Sequence, residues 1–559
     1  MTAMLAPITR HFVTVGRRQV HYRRAGSGAP IVLLHASPSS SWALDTFTQV
    51  FGTRFAALAL DTPGFGLSDS LSIAVPEATD YADAMAETMD ALGIEKAGIF
   101  GSHTGATIAC EFARRHPHRV TLAVFDGYPA YPKAEQDANL AHYLPKFAPV
   151  WHGLHLVDFW LRYREMSNFW PWYAPARATR AEAGGRELDG MHRMVLAGFL
   201  SGRGYDKGYA AVFRHDAIGA AAALKVPTCF AGREGDSLIR ALKVLGDLPD
   251  GCWRATMPND DLGAAEKYLQ MYLDRPVWDT APPPPATTIR LGAVSKRFIA
   301  TRFGPVLVRM TGTGDGTPLV MLPALPETSE TLEPEMLALG AKRPVIALDL
   351  PGSGDSDAAP LVNVAAYAGA LGEILDVLNL VRIDLAGRNL GASVAAAFAQ
   401  AKLLRVNRLI LEGPMALPSP LRQAIGPNYA PPIEIERFGG HILKLWNRLR
   451  NEQLYFPWYS ETVDAIRSIE PELDAEWLTV RITGLLKQYR NLAPIWQAGF
   501  ADPLVDRLSQ LKAPTLVCAR ESDVFADFVA EATRAVPGAH HARLPRDAAG
   551  IAAVYNGFL

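Results

Sequence analysis

The strongest constraint on this chain is that it is written twice. FVTVGRRQVHYRRAG, from Phe12, recurs as FIATRFGPVLVRMTG, from Phe298, at an offset of 286 residues. IVLLHASPSSS, from Ile31, recurs as LVMLPALPETS, from Leu319, at 288, and ALDTPGFGLSD returns as ALDLPGSGDSD at the same spacing. GSHTGA, from Gly101, returns as GRNLGA, from Gly387, and KVPTCFAGREGD returns as KAPTLVCARESD. A period of this length is a whole domain rather than a solenoid unit, so two homologous domains in tandem are predicted. The 559 residues also exceed what one hydrophobic core usually holds. DTAPPPPATT, Asp279 to Thr288, separates the copies, and its four prolines favour an extended spacer. The expected organisation is a first domain over 1–278, a linker over 279–288 and a second domain over 289–559.

Each copy opens on a β-hairpin with Gly-rich turns such as GSG and GTGDG. Short β-branched runs then alternate with alanine-rich amphipathic segments such as YADAMAETMDALG and VAAYAGALGEILDVLN. That alternation implies an α/β fold with a mostly parallel sheet covered by helices on both faces. Function in such a sheet gathers at the carboxyl ends of its strands. LLHASP, DTPGFGLSD, GSHTGA and VPTCFAGREGD, in this order and spacing, resemble the α/β-hydrolase superfamily, and the resemblance runs through nearly the whole of both copies. It implies two α/β-hydrolase-like domains, each with a helical cap, at roughly 130–215 and 415–500, inserted after the sixth strand.

The same resemblance implies a nucleophile elbow, a serine on a sharp strand-to-helix turn, with an acid and a histidine on later loops. Gly101 and Gly105 frame the turn, but its tip is His103, and in the second copy Gly387 and Gly391 frame Asn389. The elbow needs φ > 0, which histidine and asparagine tolerate better than β-branched residues do. The acid position falls on Asp236 in the first copy and Asp523 in the second. The late histidine is missing: the first copy offers Asn259, Asp260 and Asp261, the second Asp547. A Ser-His-Asp mechanism is therefore unsupported, and Ser102 stands one place before the tip. An imidazole at the tip can work as general base or nucleophile if Asp260 or Asp236 holds its tautomer. The second site, Asn389 with Asp523 and Asp547, reads as degenerate because asparagine cannot titrate. His35 is expected to orient the loop after the third strand, with Ala36, Ser37 and Thr104 supplying donors to substrate oxygen. The second copy has Pro323 at the place of His35, which removes an N–H.

The caps repeat without a gap: GLHLVDFWLRYREMSNFWPWY, from Gly153, aligns with GGHILKLWNRLRNEQLYFPWY, from Gly439. His155, Phe159 and Arg162 share a helix face, so His155, Trp160 and Arg162 are candidate substrate contacts. His441 and Arg448 survive in the second copy, so the shared motif also fits folding or a meeting of the two lids. Trp172 and Tyr173 read as lid packing, and His215 as exposed surface. The aromatic content of the cap points to a small apolar or aromatic substrate.

Composition narrows the rest. A net charge of −2 with 20% charged residues gives no reason to expect nucleic acid or a membrane surface. No signal peptide is read in MTAMLAPITRHF, and four scattered cysteines read as buried thiols in a reducing cytoplasm. No metal or cofactor motif is found, and none is expected. The expected function is hydrolysis of a small ester, lactone or related carbonyl compound. The competing expectations are a cofactor-independent lyase and a non-catalytic binding or scaffold protein.

Overall fold

The computed structural model describes residues 5–144, 146–181, 187–276, 278–290, 292–357 and 361–559. It divides into two compact units, Met1–Ala148 with Asp158–Thr287, and Pro149–Val157 with Thr288–Leu559.

The first unit is built on β1 (Ile8–Val15), β2 (Arg18–Ala25), β3 (Pro30–Leu34), β4 (Ala56–Leu60), β5 (Ala97–Ser102), β6 (Val120–Asp126), β7 (Thr228–Arg233) and β8 (Cys252–Met257). Their order across the sheet is β1-β2-β4-β3-β5-β6-β7-β8. β2 pairs antiparallel with both β1 and β4, and every other pair is parallel. The central strands β3 and β4 are buried along their whole length, as a sheet covered on both faces requires. The hairpin turn itself is Gly16-Arg17, whereas GSG joins β2 to β3.

The second unit repeats the plan with β9 (Ser295–Thr301), β10 (Gly304–Thr311), β11 (Leu319–Leu322), β12 (Val345–Leu348), β13 (Ile383–Arg388), β14 (Val406–Glu412), β15 (Thr515–Arg520) and β16 (His540–Leu544). The strand order is the same, from β9 at one edge to β16 at the other. In both units the cap helices lie between the sixth and seventh strands. The two eight-stranded sheets bear out the predicted fold class. No helix among the described residues is long and apolar enough to cross a membrane.

The segment Pro149–Val157 comes from the first cap yet packs within the second unit. There the Trp446 indole N–H donates to the Trp151 carbonyl at 3.1 Å, and His155 Nε2 lies 3.0 Å from the Thr479 hydroxyl. Gly153 faces the Trp446 ring so closely that a Cβ would stand 2.5 Å from it. Cys110, Cys229 and Cys518 are buried thiols as expected, while Cys252 is only partly covered.

Candidate active site

The elbow forms as its glycines dictate. β5 ends at Ser102, His103 turns the chain at φ 50°, and the helix Thr104–Arg115 leaves at once. A Cβ on Gly101 would lie 2.4 Å from the Gly105 carbonyl oxygen, and one on Gly105 would lie 2.3 Å from that of Leu34. Only hydrogen at both positions lets strand and helix meet this tightly. His103 is thereby lifted to the floor of a cavity of about 600 Å³, which Ser102 also borders.

Of the two candidate carboxylates, the structure brings Asp236 to the ring. His103 Nε2 lies 2.9 Å from Asp236 Oδ2, and the Leu238 N–H donates to the other carboxylate oxygen at 2.7 Å. Burial alone would raise the Asp236 pKa, but the imidazole and its hydrogen bond outweigh it and hold the carboxyl down at about 2. An ionised acid must receive a proton, so the ring carries its hydrogen on Nε2 and leaves the Nδ1 lone pair available. The His103 side chain is 41% exposed, and Nδ1 has no hydrogen-bond partner among the described residues. Burial lowers the His103 pKa, yet the charge and hydrogen bond of Asp236, helped by Asp126 and opposed by Arg233, leave it raised.

Asp260 does not reach the ring. Its carboxylate accepts from the Gly263 N–H at 2.7 Å and caps the helix Asp261–Leu273, which corrects its expected role. Its neighbour Asp261 instead pairs with Arg233 at the edge of the cavity, and Asn259 borders the same edge.

The loop after β3 divides its tasks. His35 is buried; its Nε2 accepts from the Thr62 N–H at 3.0 Å, and its Nδ1 donates to the Ala36 carbonyl at 2.9 Å. Burial depresses its pKa against the pull of Asp61, so it is a neutral clamp and not a reacting group. The Ser37 N–H, expected as a donor to substrate, is taken by the Thr104 hydroxyl at 3.2 Å. The N–H groups of Ala36 and Thr104 have no partner among the described residues, and both residues border the cavity. The hydroxyls of Ser37 and Ser39 also border it, buried and without a partner among the described residues.

The three cap candidates lie elsewhere, which corrects their expected contact with substrate. His155 belongs to the second unit and is held near a pKa of 4 by burial. Trp160 is fully buried within the cap. Arg162 donates to the Tyr205 hydroxyl at 3.0 Å and pairs with Asp158 at 3.1 Å, facing a separate small cavity. The cleft wall is built instead from Tyr131, Tyr143, Tyr163, Trp170, Tyr209 and Phe213. Trp172 serves the lid: its indole N–H donates to the Tyr143 carbonyl at 3.3 Å, as Trp458 donates to Tyr429 at 2.7 Å in the second copy. His215 is buried rather than exposed, bonded to Glu111 at 2.8 Å.

Sequence reasoning missed the support beneath the dyad. Asp126 accepts from Arg233 Nε and from the Tyr268 hydroxyl, each at 2.9 Å. Next to it, Gly127 (φ +68°) leaves room for the pair, since a Cβ there would stand 2.6 Å from His103 Cδ2. A signal existed: Asp126-Gly127, Arg233 and Tyr268 recur as Glu412-Gly413, Arg520 and Tyr555 at the repeat's own offsets.

The second elbow has the same backbone and different contents. Asn389 turns the chain at φ 48°, is buried, and donates its amide to both oxygens of Asp523 at 3.0 and 2.9 Å and to the Gly413 carbonyl. Burial lifts the Asp523 carboxyl to about 6 against the hydrogen bonds of Phe525 and Asn389. Asp547 stays apart and caps the helix Ala548–Phe558. At the place of Ser102, Arg388 is locked between Glu335 and Glu412. The amide's donors are spent, and it has no basic nitrogen to take a proton.

An eight-stranded sheet with a strand-turn-helix elbow under an inserted helical cap defines an α/β-hydrolase domain, and the chain has two. Two family models match, one described as the alpha/beta hydrolase fold over residues 29–199 and one as the alpha/beta hydrolase family over 319–554. The chain belongs to the α/β-hydrolase superfamily as a tandem of two such domains. Among its relatives are 2-hydroxy-6-oxo-6-phenylhexa-2,4-dienoate hydrolase of Burkholderia cepacia, 29% identical over 23% of this chain and 48% of that protein, and the soluble epoxide hydrolase of Corynebacterium sp., 31% identical over 23% and 46%. The 2-(acetamidomethylene)succinate hydrolase of Mesorhizobium japonicum is 27% identical over 34% of this chain and 67% of its own length. The chain thus spans about half the length of the first two. Among solved structures, the enol-lactonase of Burkholderia xenovorans is similar at 17% identity and a TM-score of 0.35, over 46% of this chain and 95% of that one.

Proposed function

We propose that the first domain is a hydrolase of small, largely apolar or aromatic esters, lactones or related carbonyl compounds, with His103 as its general base. The observation that carries this reading is the His103–Asp236 pair on the elbow, with Nδ1 left unbonded among the described residues above a cavity large enough for a small molecule. Nδ1 takes a proton from water, and the hydroxide formed adds to the carbonyl carbon. Asp236 stabilises the imidazolium, and the ring then returns the proton to the leaving oxygen. The N–H groups of Ala36 and Thr104 are the donors left to the developing oxyanion, the latter at a helix N-terminus. The second domain is a degenerate copy whose elbow keeps its shape without a titrating group.

The test is turnover of aryl and short acyl esters and lactones by the full chain, wild type beside His103→Ala. Loss of general-base catalysis lowers the rate about 10²–10⁴-fold. An unchanged rate in the variant contradicts the reading. A second reading rests on the same lone pair, since no side-chain nucleophile stands at the tip: His103 removes a proton from carbon, as a lyase requires. Exchange of a substrate C–H in D₂O without acyl cleavage would select it.

A further inference from the structure

The charges around the first cleft are lopsided. Asp126, Asp236 and Asp261 border it, and among the described residues the one guanidinium that does so is Arg233. Two nitrogens of Arg233 are engaged, Nε donating to Asp126 at 2.9 Å and Nη1 to Asp261, and its plane lies over the Phe47 ring. That leaves Nη2 alone to an incoming carboxylate, short of the two-nitrogen fork a bidentate grip needs. Asp236 is ionised and held by His103, whose working form as a base is neutral. On the cap side, Arg162 is tied to Asp158 and Tyr205 and faces its own small cavity behind Tyr143 and Tyr163. Among the described residues, three carboxylates stand against one cation on the alkaline side, where the imidazole is neutral, and against two where it is protonated.

The opposite wall is aromatic. Tyr143 packs against Trp170 at 5.3 Å, Tyr209 at 5.6 Å and Phe213 at 5.3 Å between ring centroids, and Tyr131 lies 6.0 Å from Phe213. Aromatic faces carry a negative quadrupole and attract cations. An acid-rich floor beneath such a wall repels an anionic ligand and accommodates an ammonium group.

We propose that this cleft selects aromatic substrates bearing an ammonium group, accepts neutral ones more weakly and rejects carboxylates. The proposal deepens the hydrolase reading and rests on it for the claim that the cleft is the site of chemistry. Asp261 sets the charge at the cleft's edge, and its removal frees one fork of Arg233 for an anion.

Three probes matched in size, benzyltrimethylammonium, benzyl alcohol and phenylacetate, are titrated calorimetrically into the full chain on the alkaline side, where His103 is neutral, at low and physiological salt. The expected affinity order is ammonium, alcohol, carboxylate, with the spread shrinking as salt rises. Asp261→Asn, at an exposed position, narrows the gap between ammonium and carboxylate about threefold. Phenylacetate binding as tightly as the ammonium probe, or no binding by any probe, overturns the proposal. Binding is read without turnover, so the two readings fail separately. A His103→Ala variant that loses turnover while phenylacetate binds best sinks only the charge preference. The expected order with an unaffected His103→Ala rate sinks only the base.

Discussion

At His103 burial and charge pull the imidazole in opposite directions, and the carboxylates win. Its pKa lies above 6.5, so the free base dominates only on the alkaline side and activity rises with pH through that raised value. The pair also links folding to pH. The raised histidine contributes stability that is complete below 6.5 and lost as pH climbs through the folded value. The depressed Asp236 contributes stability present above 3.8 and lost as pH falls toward about 2. Thermal melts of wild type and Asp236→Asn should differ most between those limits and less toward either extreme; a difference that does not vary with pH contradicts the linkage. The sequence made the histidine legible because glycines frame its position. It left the partner open between Asp236 and Asp260, because a short loop after a strand does not reveal whether its carboxylate faces the cleft or caps the next helix. Both loops carry an acid at a cap position, and only the fold separates them: Asp236 accepts one loop N–H and still reaches the ring, while Asp260 turns to Gly263.

At the scale of elements, the strand-turn-helix units and the cap decide what the site can hold. Gly127 closes β6 under the dyad, and Gly127→Ala places a methyl group against the imidazole at a positive φ. The backbone alone costs about 1–2 kcal/mol. Activity should fall by far more than stability as His103 is pushed from Asp236; a variant that melts lower with unchanged kcat would show that the pair tolerates the shift. In the cap, Trp172→Phe removes the indole N–H to the Tyr143 carbonyl and should destabilise the protein by about 1 kcal/mol in denaturant titration, leaving the elbow intact. Strand and helix order was legible because alternating apolar runs and alanine-rich segments have different periods. The cap's inward face was not. His155 and Arg162 lie where helical spacing puts them, but spacing along one helix cannot say which neighbour covers that face. His155 met Thr479, while of the tyrosines that line the cleft Tyr163 comes from this helix and Tyr131, Tyr143 and Tyr209 come from other segments.

For the whole molecule, the repeated fold lets two such different sites share one architecture. Both copies keep a positive φ at the elbow, a glycine after the sixth strand, and an acid held by an arginine and a tyrosine. What differs is the residue at the tip and what surrounds it: a partly exposed imidazole over a cavity in one, a buried amide bound to Asp523 in the other. Asn389→Ala should therefore leave esterase or lactonase turnover within about twofold of wild type, a change of under 0.5 kcal/mol. A loss comparable to that of His103→Ala would mean that the second site works. The repeat was legible at once from offsets of 286 to 288 residues. That residues 149–157 of the first cap belong to the second unit was not, because no local pattern marks a segment that packs away from its own copy.

The most direct test of the elbow imidazole as the working base is the pH dependence of kcat/KM for an aryl ester, measured on wild type and Asp236→Asn. The account predicts a wild-type rate that rises through a pKa above 6.5 and a much slower variant whose rise is displaced to lower pH, because the charge that held the proton on His103 is gone. The same rising limb in both proteins would contradict it.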